Sequence, residues 1–299
     1  MTDFESPRVR AFYDRVANAI PCVPKKAHAE LHAMTPWELL SRYLNWADRL
    51  VAPRPRRVVT WDGFTRHGAT SLHWNAVCAL AMEIEAGNDL RPYLSDKVRI
   101  GYVPAKDGGK KGRRGVEWAD KDYALNAYEM HHLHLSRAGT EELLYVSFFR
   151  NEAFFLMVGD HKSFDDGSLA KAVGEARVGT LYELKGVGLQ NQRTMAEYNQ
   201  LQRRGIATFF PVGSQTVMGA TLTGAGTSSL HTKHAQNMLK AIRKLDPQID
   251  DPRFGHEWFE QSGKTYPASP AFEWALSHCD LCLIESTAFL KWTVVEWRR

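Results

Sequence analysis

Cysteine is scarce: Cys22, Cys78, Cys279 and Cys282 are the four in a chain of 299 residues. Four thiols cannot staple a protein of this size, which excludes a disulfide scaffold and fits a reducing compartment. "HCDLC" (278–282) contains a Cys-x-x-Cys. A zinc site of that kind takes a second ligand pair at matching spacing, and none is evident, so the thiols read as small buried side chains. Long hydrophobic runs are missing too. Nothing approaches the roughly 18 apolar residues of a membrane span, and "MTDFESPRVRAFYDRV" carries early acids without the apolar stretch of a signal peptide. The expectation is a cytoplasmic protein with no membrane partner. The chain also lacks Gly-x-x-x-x-Gly-Lys-Ser/Thr, a post-strand Gly-x-Gly-x-x-Gly, and Gly-x-Ser-x-Gly. Nucleoside-triphosphate, dinucleotide and serine-hydrolase readings therefore have no support. Internal repeats and low-complexity tracts are absent as well.

What is present is the composition of an ordinary globular protein, with 44% hydrophobic and 24% charged residues. The net charge of +4 is mild, but its distribution is uneven: "PRPRR" (53–57), "GGKKGRRG" (108–115) and "RR" (203–204) are basic clusters. Clusters of this kind make phosphate contacts, and the bland alternative is a solvated loop. In the Gly-flanked loop, Lys110, Lys111, Arg113 and Arg114 are the candidate RNA-binding residues.

Periodicity gives the element order. "TPWELLSRYLNWADRLV" (35–51) opens with Thr and has Glu three residues on, a capping-box pattern, followed by apolar residues at helical spacing. "RRVVTW" (56–61) reads as a strand, and "SLHWNAVCALAMEIEAGNDL" (71–90) as a helix stopped at Gly87. Three dense apolar runs, 129–136, 141–149 and 152–160, are separated by hairpin-sized connections and predict an antiparallel meander. A helix behind Asp165 or Asp166 (163–176), a helix over 195–207, a hairpin over 208–224 and a helix over 228–245 follow. The last segment is open between strand and helix. The expected fold class is α+β, an antiparallel meander with helices packed on one face and a C-terminal α+β extension. The expected division is an N-terminal helical segment (1–55), a core (56–176) and a C-terminal region (177–299).

Histidine is concentrated where the chemistry is expected. "YEMHHLHLS" (128–136) puts three of 12 histidines into four positions. On a strand side chains alternate, so His132 and His134 share one face with Met130, while His131 joins Leu133 and Leu135 on the other, against the core. His161 stands at the end of the third meander strand in "GDHKSF", beside Asp160 and Lys162, and Arg150 lies in the preceding turn. Two readings stay open. Imidazoles can act as general base and acid in cleavage through a ribose 2′-hydroxyl, with Lys162 or Arg150 stabilising the phosphorane charge. Alternatively His132, His134 and His161, with or without Asp160, bind a hydrolytic transition metal. Further along, His231 and His234 lie at i and i+3 in "GTSSLHTKH", a pattern read as a solvated amphipathic helix.

The stretch "AMEIEAGNDLRPYLSDKV…DYALNAYEMHHLHLS…EELLYVSFFRNEAFFLMVGDHKSF" looks like the central region of an uncharacterised bacterial family with an "HHLHL" strand. Its element order also resembles that of RelE/HigB-type toxins over roughly residues 56–176. That resemblance implies a small sheet clasping RNA and a metal-independent endoribonuclease. The family relies on Arg, Lys and Tyr where this sheet offers His, so its catalytic residues do not carry over. The expectation is an endoribonuclease of toxin or phage-defence type without cofactor, using His132, His134, His161, Lys162 and Arg150. RNA is the expected substrate and an antitoxin or other regulatory protein the expected partner. The alternatives are a metal-dependent hydrolase on the same histidines and a non-catalytic protein or nucleic-acid binding module.

Overall fold

The computed structural model describes residues 6–66, 69–104, 122–189, 193–203, 206, 208–219, 222–223 and 227–297. Among them, in chain order, come helices α1 (Pro7–Ala19), α2 (His28–Ala33) and α3 (Pro36–Ala47), strand β1 (Arg57–Thr60), and helices α4 (Trp74–Glu85) and α5 (Tyr123–Tyr128). The meander follows as β2 (His131–His134), β3 (Glu142–Phe148) and β4 (Glu152–Asp160). Then come α6 (Ser168–Arg177), α7 (Met195–Arg203), the hairpin β5 (Phe209–Val212) and β6 (Gln215–Met218), α8 (Ser229–Leu245), α9 (His256–Ser262), and strands β7 (Phe272–Ser277), β8 (Asp280–Glu285) and β9 (Leu290–Val295). The class is α+β, as the periodicity predicts.

The chain forms two compact units, and neither follows the expected division. One contains residues 6–48, 100–104 and 231–297; the other contains the described residues of 49–99 and 122–230. The division near 177–193 is not observed: α7, β5 and β6 belong with the meander, because β5 and β6 pack on α6 through Phe210 and Val217. Residues 231–297 instead share a unit with α1–α3.

In the first unit α3 begins as its sequence requires. Thr35 Oγ1 accepts the Glu38 N–H at 3.4 Å, and Glu38 Oε2 accepts the Thr35 N–H at 3.0 Å, satisfying two of the orphan donors at a helix start. The open C-terminal segment resolves as an antiparallel sheet in the order β7-β8-β9. Trp274 of β7 is fully buried, and its indole N–H donates to Asp246 Oδ1 at 2.9 Å, the oxygen that also takes Arg8 Nε at 2.9 Å.

In the second unit the sheet order is β1-β4-β3-β2. The meander is antiparallel as expected, and β1 adds a parallel edge to β4. Helices lie against both faces and not the one face expected, because the meander strands bury apolar side chains on both sides. On one, Val77, Leu80 and Ile84 of α4 pack with Leu133, Val146 and Phe155; on the other, α5 and α6 pack with Leu143, Tyr145 and Met157. Helix α4 ends at Gly87, whose φ of +74° suits glycine. The Gly87 N–H donates to Ile84 O at 3.1 Å and that of Asn88 to Glu83 O at 3.0 Å. A β-bulge interrupts the β3–β4 ladder: Tyr145 pairs with Met157 and Val146 with Phe155, so Leu156 is the extra residue. Its carbonyl accepts the Trp61 indole N–H at 2.8 Å.

Candidate active site

The site stands on β2 and on the turn that follows β4. Strand alternation behaves as expected: His131 and Leu133 are buried, whereas His132 and His134 are half-buried on the opposite face. His131 meets Phe148 edge-on at 5.1 Å between ring centroids, an arrangement of core packing.

His161 is presented by a tight turn. Asp160 Oδ1 accepts from the backbone N–H groups of Lys162 (2.8 Å) and Ser163 (2.9 Å), and Ser163 Oγ returns by accepting the Asp160 N–H at 2.9 Å. Gly159 permits this closure, since a Cβ there would stand 2.4 Å from Ser163 Oγ. The Tyr145 hydroxyl donates to Asp160 O at 2.8 Å. Burial, reinforced by nearby carboxylates, pushes that phenol's pKa well up, so it remains a donor.

The turn brings His161 to the histidine face of β2. Its ring centroid is 6.5 Å from that of His132 and 5.8 Å from that of His134. The three histidines therefore converge. His132 Nδ1 lies 3.3 Å from Asp122 Oδ2. His134 Nδ1 sits 3.1 Å from Thr140 N and 2.8 Å from Thr140 O, which pins that ring to the β2–β3 turn. Partial burial lowers the His161 pKa, and the charges on His132, His134 and Lys97 add to the lowering against an opposing effect of Glu141.

A cavity of about 170 Å³ opens beside these groups, lined among others by Arg49, Lys97, Asp122, His131, His132 and His161. His134 stands outside this lining, touching it through His161. The volume is below the roughly 300–1,000 Å³ of pockets for drug-sized ligands, and it suits a phosphate or a sugar better than a whole cofactor.

The other expected site residues fare differently. Lys162 is exposed on the His161 turn. Arg150 is not brought in: it precedes β4 whereas His161 follows it, and the strand from Glu152 to Asp160 spans about 26 Å at the usual rise. Lys110, Lys111, Arg113 and Arg114 lie outside the described residues. Three residues escaped the sequence reading. Asp122 is the N-cap of α5, its Oδ1 taking the Leu125 N–H at 3.0 Å, a role signalled only by an acid before a six-residue helix. Lys97 and Arg49, joined by a 3.3 Å hydrogen bond from Arg49 Nη1 to Lys97 O, have no local signal.

No protein-family model, curated protein or solved structure matches the chain.

Proposed function

We propose that the second unit is a metal-independent endoribonuclease that cleaves RNA by histidine acid–base chemistry. The observation that carries this reading is the convergence of His132, held by Asp122, and His161 on one small cavity that also presents Lys97 and Arg49. Cleavage through the 2′-hydroxyl needs a base, an acid and a cation for the phosphorane, and the cavity offers each. His161, kept neutral by its lowered pKa, takes the 2′-hydroxyl proton. The 2′-oxygen forms a bond to phosphorus while the bond to the 5′-oxygen breaks, and His132 delivers a proton to that leaving oxygen through Nε2. Asp122 offsets the charge the His132 ring carries when protonated. Lys97, with Arg49 behind it, holds the non-bridging oxygens in place of Arg150, and Lys162 follows His161 on the same turn. The RelE-like element order adds a toxin or phage-defence setting and an inhibitory protein partner to this proposal.

The test is incubation of the purified chain with an RNA oligonucleotide and its 2′-deoxy counterpart, followed by analysis of the termini. The expected products are a 2′,3′-cyclic phosphate and a 5′-hydroxyl, with the deoxy substrate intact. His132→Ala and His161→Ala lower the rate by about 10²- to 10⁴-fold. Cleavage of the deoxy substrate would overturn the mechanism.

One observation favours a second reading, a metal-dependent hydrolase. The Nδ1 atoms of both His132 and His134 are held by oxygen or backbone groups, as in metal sites whose ligands are oriented from behind. Against it, three imidazoles on one tetrahedral zinc bring ring centroids to roughly 5 Å, closer than the 5.8 and 6.5 Å seen here. Chelator-resistant RNA cleavage separates the two.

A further inference from the structure

Two motifs without a place in the RNA-cleaving site meet in the first unit. His278 and Cys279 are the two residues joining β7 to β8, since Ser277 pairs with Asp280. Hairpin turns of this length sit on surfaces and favour glycine where φ is positive. Here the first position is His278, at φ +54°, and the second, Cys279, is buried. Both turn carbonyls are anchored: the Tyr43 hydroxyl donates to His278 O at 3.0 Å, and His234 Nε2 lies 2.8 Å from Cys279 O. The turn is thus built into the unit's interior.

Against it stands Asp48, the C-cap of α3 and nearly buried. A carboxylate at the negative end of a helix dipole attracts a cation. The Asp48 carboxylate, the His278 imidazole and the Cys279 Sγ offer ligand atoms that all lie within 4.8 Å of one another. His231 Nε2 lies 2.9 Å from Asp48 Oδ2. The His231 ring is fully buried, and its Nδ1 has no hydrogen-bond partner among the described residues. The helix read as solvated from its sequence therefore turns both His231 and His234 inward.

We propose that Asp48, His278 and Cys279 form a zinc site, with His231 orienting the Asp48 carboxylate from behind. Sulfur, imidazole and carboxylate are the donors zinc takes, and three protein ligands leave a fourth position open. Donors around a tetrahedral zinc stand roughly 3.3–3.8 Å apart, so side-chain shifts of about 1 Å close the cluster. A carboxylate held by a second histidine is the outer-shell arrangement that fixes such ligands. Cys282 stays outside: its Sγ faces Asp280 O and Thr293, so the Cys-x-x-Cys spacing is incidental and the ligand pair is His-Cys.

The experiment uses the full chain stripped with a chelator, then titrated with Zn²⁺ and separately with Co²⁺ as a spectroscopic probe. The expected result is uptake of one equivalent at micromolar metal, a near-ultraviolet thiolate-to-cobalt charge-transfer band, and a higher Tm with zinc. Cys279→Ser abolishes the band and Asp48→Asn weakens binding, whereas Cys282→Ser and His134→Ala leave both intact. Should Cys279→Ser fail to fold, the wild-type band and zinc-dependent Tm, each preserved in Cys282→Ser, decide the matter. Wild-type protein that shows neither band nor Tm shift overturns the site, as does an undiminished band in folded Cys279→Ser. Loss of binding in His134→Ala moves the metal to the sheet histidines and overturns it too.

Discussion

Asp122 divides its carboxylate between two tasks: Oδ1 caps α5 at the Leu125 N–H, 3.0 Å away, and Oδ2 faces His132 Nδ1 at 3.3 Å. The start of α5 and the orientation of a proposed catalytic ring are therefore set by one side chain. Asp122→Asn keeps an acceptor for the cap but loses the charge behind His132. The expected result is near-normal stability with kcat for RNA cleavage reduced about 10- to 1,000-fold and KM little changed. A parallel rise in KM would reassign Asp122 to substrate binding.

The pH profile follows from the lowered pKa of His161. As the proposed base it would act unprotonated, so activity is expected to fall as pH drops through its pKa. The acid limb of kcat/KM belongs below about pH 6.5, the ordinary imidazole value. Lys97 contributes to the lowering and Glu141 opposes it, so Lys97→Ala moves the limb to higher pH and Glu141→Gln to lower pH. Limbs that stay fixed in both variants would remove His161 from the base role.

Lys97 lines the cavity whereas Arg150 lies beyond the far end of β4. Lys97→Ala is expected to lower kcat/KM between about 10- and 100-fold. Arg150→Ala is expected to stay within about twofold of wild type. Steady-state cleavage of one oligonucleotide by the two variants decides the assignment, and the reverse order would restore Arg150 to the site.

Gly87 combines a φ of +74° with crowding: a Cβ there would stand 2.5 Å from Pro55 N. Gly139 has φ +83° but open space around its Cα. Gly87→Ala should therefore destabilise by about 1–3 kcal/mol, and by more than Gly139→Ala, read from chemical denaturation. Equal costs would show that the Pro55 contact relaxes.

Local signals were legible in the sequence wherever their cause was local. The Thr35–Glu38 capping box, the Gly87 helix stop and the three-stranded meander each depend on residues within one element or two neighbours, and each is present. The separation of His131 from His132 and His134 followed from alternation alone. What escaped depends on distance along the chain. His231 and Asp48 are 183 positions apart, and a discontinuous unit cannot be read from composition shifts. Asp122 and Lys97 reach the site through tertiary packing, and the amphipathic pattern of α8 could not say that His231 faces a buried carboxylate and His234 a buried carbonyl instead of water.

The bulge at Leu156 has a consequence for the histidines. An uninterrupted strand counts in twos, so Phe155, Met157, Gly159 and His161 would all point the same way, towards α4. In the protein Phe155 faces α4 while Met157 lies on the opposite side with α5 and α6. The extra residue resets the count, and His161 arrives on the side of His132 and His134. One unpaired leucine thus acts as a half-turn screw in the strand. Flattening the bulge with Leu156 kept in a regular ladder would leave every histidine in the chain and carry one of them to the wrong side of the sheet, whereas deleting Leu156 would set Met157 straight after Phe155 and leave His161 on its present side.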